Sequence, residues 1–147
     1  MYGVILFIHL LSATIWTGGH LVLALTILPR ALKSQTIEEI QQFEKNYELI
    51  GIPSLVIQIL SGLWLAHHYI PDLNHWFLFS DPLARLVLLK LGLLGITMCF
   101  ALDARLRVIP NLSVKNLNSL AWHIIPVTII SVLFVFVGVS FRTGWLY

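Results

Sequence analysis

Residues 4–28 read VILFIHLLSATIWTGGHLVLALTIL, an apolar run that is long enough to cross a bilayer yet carries two imidazoles. Crossing a hydrocarbon core of roughly 30 Å takes about 20 helical residues. In lipid the one workable backbone for such a segment is the α-helix, because every amide must find its partner inside its own segment. His9 and His20 then stand eleven residues apart, about three turns, and project from nearly the same stripe. An ionisable side chain at that depth is expensive to insert and usually faces protein or water, so it marks a functional site by default.

Three further runs of this kind follow, at residues 47–69, 84–104 and 120–141. With 58% hydrophobic and 11% charged residues in a 147-residue chain, a water-soluble domain is excluded, and so little chain lies outside the spans that the core must be interhelical. The expected fold is all-α, one integral membrane four-helix bundle over residues 1–147. The first run is too long for a signal h-region and lacks a basic flank and a small-residue cleavage site, so it is expected to be retained. Arg30, Lys33 and Lys45 fall in the first connection and Arg105, Arg107 and Lys115 in the third. The positive-inside rule puts both in the cytoplasm and both termini outside, N-out/C-out. A net charge of +2 gives no footing for nucleic acid, and Cys99 is alone, which rules out an intrachain disulfide.

Pro29 is expected to end the first helix. Thr36-Ile37-Glu38-Glu39 fits a capping box, and Ile37, Ile40 and Phe43 recur at helical spacing, so an amphipathic cytoplasmic helix should lead into the second span. Pro53 kinks or starts its membrane part. The loop at residues 71–82, with His75 and Trp76, suits the headgroup level, and Pro110-Asn111 marks the third turn.

On the first span His9, Trp16, His20 and Leu23 fall within about 60° at 100° per residue, with Gly18-Gly19 beside them. Those glycines would admit a neighbouring helix or a flat cofactor; the plainer explanation is a packing notch, with each histidine bonded to a carbonyl. Gly51, Ser54, Gln58, Ser61 and His68 form a small or polar stripe on the second span, and hydrogen bonding between helices accounts for most of it. His67 is rotated towards the interface. Lys90 lies roughly 9 Å inside the third span. It either snorkels to the headgroups or, with Arg85, provides a counter-ion for a propionate, carboxylate or quinone oxygen. His123, before Pro126, is a ligand or an interfacial cap.

His9, His68 and Lys90 fall in the outer half of the bilayer, His20 and His123 in the inner half. Paired imidazoles at like depth would supply the axial bonds of a haem iron, and neutral imidazole also suits copper. His9 with His68 and His20 with His123 are the candidate metal ligands, with Trp16, Trp64, Phe134 and Phe141 as walls and Gly19 allowing close approach. Met1 and Met98 are the only methionines, which counts against a soft-ligand Cu(I) conduit.

His9-(x)6-Trp16-x-Gly18-Gly19, Ser61-Gly62-Leu63-Trp64 and Leu88-Leu89-Lys90-Leu91 resemble the CopD family of copper-resistance membrane proteins over nearly the whole chain. The His9, Trp16 and Lys90 pattern is more distantly similar to HemJ-type protoporphyrinogen oxidases, four-helix proteins thought to bind haem b. Here the region before His9 is apolar where that type typically carries a lysine, and His20, His68 and His123 are additional. The resemblance implies a four-helix bundle with a part in copper uptake or tolerance, and the expected location is a bacterial inner membrane. The leading expectation is a haem b protein, with one or two haems, passing electrons through the bilayer to or from quinone or a periplasmic redox or copper protein. The alternatives are a copper transporter using the same histidines as ion stations, and a structural subunit of a larger complex or homo-oligomer. No acid/base pair or nucleophile constellation marks an enzyme beyond an oxidoreductase component.

Overall fold

The structure is a computed structural model that describes residues 1–146. Four helices carry the chain up and down: α1 (Tyr2–Ser34), α2 (Glu38–Tyr69), α3 (Pro82–Asn111) and α4 (Val114–Thr143). Each is long and apolar enough to cross a membrane, and at 30 to 33 residues each runs roughly 45–50 Å. That exceeds the hydrocarbon thickness. No strand occurs among the described residues.

Pro29 does not end α1. A π turn at Leu23–Ile27 precedes it, the Leu28 amide donates to the Leu23 carbonyl, and the helix continues to Ser34. Pro110 repeats the device: a π turn at Ala104–Val108 lets the Ile109 amide donate to the Ala104 carbonyl. Proline lacks an amide hydrogen and its ring crowds the carbonyl four residues back; a widened turn just before it relieves both defects. Pro53 and Pro126 lie within α2 and α4 without breaking them.

The expected capping box is absent. Gln35 closes α1 in the left-handed region (φ 54°), and this tight link turns the Thr36 hydroxyl back to Ser34 (2.8 Å). The Ile37 amide donates to the Glu38 carboxylate instead. The amphipathic segment is present as the first turns of a continuous α2. Ile40 packs with Ile27, Leu28 and Ala31 of α1 and Leu117, Leu120, Ala121 and Ile124 of α4, with Ile37 and Phe43 at the edge. Ile40 is 2% exposed, whereas Leu49 on the outer face is 78% exposed. Ile40→Ala should therefore cost about 2–5 kcal/mol and Leu49→Ala within about 0.5 kcal/mol, read by denaturant unfolding in detergent.

α1 packs on α2 and α4, and α4 on α3. α2 and α3 meet mainly at their extremities. Arg105 makes a two-pronged bond to Glu48 (2.7 and 3.1 Å) at the connection end. At the terminal end Ile70, Trp76, Ala84 and Val87 form a buried cluster, with the Trp76 indole donating to the Ile70 carbonyl at 2.8 Å. The loop tryptophan is thus folded inward. Phe7, Leu25, Leu60 and Leu106 face outward, as side chains solvated by lipid would.

Candidate functional site

His9 lies where α1 meets α2. Its Nδ1 is 2.9 Å from the Ser61 hydroxyl, and that hydroxyl sits 2.6 Å from the Ile57 carbonyl, to which it donates. A serine has one hydroxyl proton. With that proton committed to Ile57, Ser61 accepts from His9, Nδ1 carries the imidazole hydrogen, and Nε2 keeps its lone pair. This is how metal-binding histidines are usually oriented, by a partner on the other ring nitrogen. Gly62 makes room for the ring, because a Cβ there would lie 3.0 Å from its Cε1.

Lys90 extends along α4 towards its terminal end. Its ammonium lies 5.5 Å over the Phe141 ring and beside Gly138, where a Cβ would sit 3.3 Å from Nζ. Gln58, one turn from Ser61, has an amide oxygen that is buried with no donor. α1, α2 and α3 therefore each contribute a polar group to the terminal half of the bundle.

The other predicted ligands are placed elsewhere. His68 stands seven residues beyond Ser61 on α2, roughly 10 Å along the helix, exposed between Trp64 (stacked, 5.2 Å) and Tyr2 (5.2 Å). Two imidazole nitrogens sharing one ion must come within about 4 Å, twice a metal–nitrogen bond, so the structure does not bring His9 and His68 together. His20 donates from Nδ1 to the Trp16 carbonyl at 2.9 Å and lies 4.3 Å from the Trp16 ring. It is level with Thr128, whose hydroxyl is 3.2 Å from the His20 carbonyl. His123 is five residues from Thr128, roughly 7 Å nearer the connection end. Both its ring nitrogens are engaged with oxygen, the Ser119 carbonyl at 2.8 Å and Asp103 at 2.7 Å, so neither is open to a metal. His20 and His123 are not a pair either. Among the described residues no three His, Cys, Asp or Glu side chains converge on one ion position. Arg85 is exposed and, five residues from Lys90, points about 140° away from it.

Gly19 serves packing. The Tyr47 ring fills the space a side chain on Gly19 or Gly51 would need, and its hydroxyl lies 3.0 and 3.1 Å from the Ile15 and Trp16 carbonyls. Sequence reasoning passed over Tyr47. Its signal was the spacing Tyr47-x3-Gly51, an aromatic and a notch one turn apart.

Compared with known families, the model described as copper resistance protein D, CopD, matches residues 41–141. The matched region takes in Gln58, Ser61 and Lys90 and begins after His9. It bears out the CopD resemblance, of which the HemJ likeness is no part. No curated protein and no solved structure matches the chain.

Proposed function

This chain belongs to the copper resistance protein D (CopD) family, an integral membrane protein related to copper resistance, and from that premise we propose that copper is its cargo, carried on imidazole nitrogen. The observation that carries the proposal is the His9–Ser61 bond, which leaves Nε2 of His9 unprotonated inside the bundle. His20, with Nδ1 given to a carbonyl, presents Nε2 in the same way eleven residues further along the stripe. The reading is a series of stations along α1: His68 exposed at the terminal mouth, then His9, then His20. A transported ion is best served by weak, serial ligands, since a closed multi-ligand site would hold it. The termini face the periplasm and the two basic connections the cytoplasm of a bacterial inner membrane. A periplasmic copper protein is the natural donor or acceptor.

Haem b electron transfer, to quinone or a periplasmic redox protein, is the alternative. Its two-histidine form does not fit the residues present, since each proposed pair is several ångströms out of level. The Lys90 ammonium, held against Phe141 with no ion-pair partner among the described residues, is the observation in its favour, as such a group suits a propionate.

Metal analysis and a visible spectrum of protein purified from copper-supplied cells separate these. Copper bound by the wild type and by His123→Ala, with no Soret band, is the expected result. A Soret band lost in His9→Ala would turn the assignment to haem. Copper content unchanged in His9→Ala and His20→Ala would overturn the copper proposal and leave a structural subunit.

A further inference from the structure

We infer that Asp103 and His123 form a proton-operated clasp between α3 and α4 at the connection end of the bundle, closed while the imidazole carries both ring hydrogens and opened when it loses one. The inference does not depend on the copper reading, because neither nitrogen of His123 is open to a metal.

The geometry sets the proton count. Nδ1 of His123 lies 2.8 Å from the Ser119 carbonyl, one turn back on α4, and Nε2 lies 2.7 Å from Oδ2 of Asp103 on α3. A carbonyl and a carboxylate only accept, so both contacts are hydrogen bonds at the same time only for imidazolium, the form with two N–H donors. The neutral ring keeps one hydrogen, and its bare nitrogen turns a lone pair on an oxygen at bonding distance. Nη1 of Arg107 donates to the other oxygen of Asp103 at 2.8 Å, a charge-assisted bond to the carboxylate anion, so the departing proton goes to water. Phe100 stands edge-on to the ring at 5.8 Å, and the His123 side chain keeps 14% exposure, which gives protons a way in and out.

The charges acting on Asp103 are those of Arg107 and His123. Among the described residues α1 and α2 bring no charged group to the clasp: Glu48 and Glu44 act on Arg105, and Glu39 on Arg30. Imidazole is the side chain that ordinarily changes charge between about pH 5 and 8. Since the closed form needs the second hydrogen, the clasp holds on the acid side of that range and releases as the pH rises.

Asp103 is also the last residue before the π turn at Ala104–Val108, and such turns are rare and frequently mark functional sites. Three ties hold this one: Asp103 on His123, Arg105 on Glu48 of α2, and Val108, buried with Leu117 and Leu120. Opening the clasp removes the first and leaves the other two. The motion is therefore local, a loosening of the turn against α4 within a folded bundle.

Hydrogen–deuterium exchange of the detergent-solubilised full chain, at about pH 5.5 and 8.5 with labelling times scaled for the intrinsic pH dependence, reports the amides of residues 104–109. The imidazole nitrogen resonances of His123 report its ring hydrogens in the same samples. Protection about tenfold lower in the alkaline sample, the size of one hydrogen bond to a charged group, in step with the loss of the second ring hydrogen, is the expected result. His123→Gln keeps an N–H and cannot titrate, while in Asp103→Asn the amide accepts from the charged ring and donates to the neutral one. Both variants should therefore show the same protection at the two pH values. Equal protection in the wild type overturns the inference. So does a change that persists in His123→Gln or runs apart from the His123 resonances, since another group would then be titrating. The two wild-type readings need no variant, so a substitution that fails to fold does not spare the inference.

Discussion

Gly19→Leu will unfold the α1–α2 half of the bundle, costing about 3 kcal/mol or more, while Gly18→Leu next to it will be tolerated. The Tyr47 ring occupies the place of any side chain at Gly19, and a Cβ on Gly51 would come within 2.7 Å of the same ring. The ring cannot swing aside cheaply. Phe43 stacks on it at 5.3 Å, and its hydroxyl is engaged with the Ile15 and Trp16 carbonyls, so displacement forfeits those bonds as well as the packing. Around Gly18 nothing stands within 4 Å of a Cβ. Unfolding in denaturant, followed by circular dichroism in detergent, checks the pair, and equal losses at the two glycines would remove Tyr47 from its assigned notch. The effect is independent of copper, which separates packing from ligand binding.

On the proposed copper reading, His9→Ala will lower the copper affinity of the His9 station by about a hundredfold or more, and Ser61→Ala by about tenfold, since removing the partner that orients a metal-binding histidine typically costs 10–100-fold in affinity. Both should leave unfolding nearly unchanged. His123→Ala should do the reverse, keeping copper while loosening α3 from α4, because His123 joins Asp103 at 2.7 Å across that contact. Competition with a chelator gives the affinities, and denaturant unfolding of the same samples gives the stabilities. A Ser61→Ala variant with wild-type affinity would mean that the hydroxyl does not set the tautomer.

Four spans, their up-and-down order and the stripes on α1 and α2 were legible because helix periodicity and bilayer thickness act on one segment at a time. Ile40 as an inward residue was legible for the same reason. Pro29 and Pro110 misled because a proline forbids one particular amide bond, and a π turn one residue earlier removes the need for that bond. Assigning His9 and His68 to one half of the bilayer was too coarse: His68 is one residue from the end of α2, whereas His9 is seven residues inside α1.

The amino-acid sequence by itself determined an integral membrane four-helix protein with imidazoles and one lysine inside it, because hydrophobic length and a 100° step per residue are properties of single helices. Only the tertiary structure decided which of those groups meet. Seating Tyr47 between Gly19 and Gly51 sets the sliding register of α1 on α2, which brings His9 to Ser61 and leaves His68 beside Tyr2. The rotation of α3 against α4 turns Lys90 inward over Phe141. Axial shift and rotation between helices come from the summed fit of many side chains, and periodicity within one segment does not contain them.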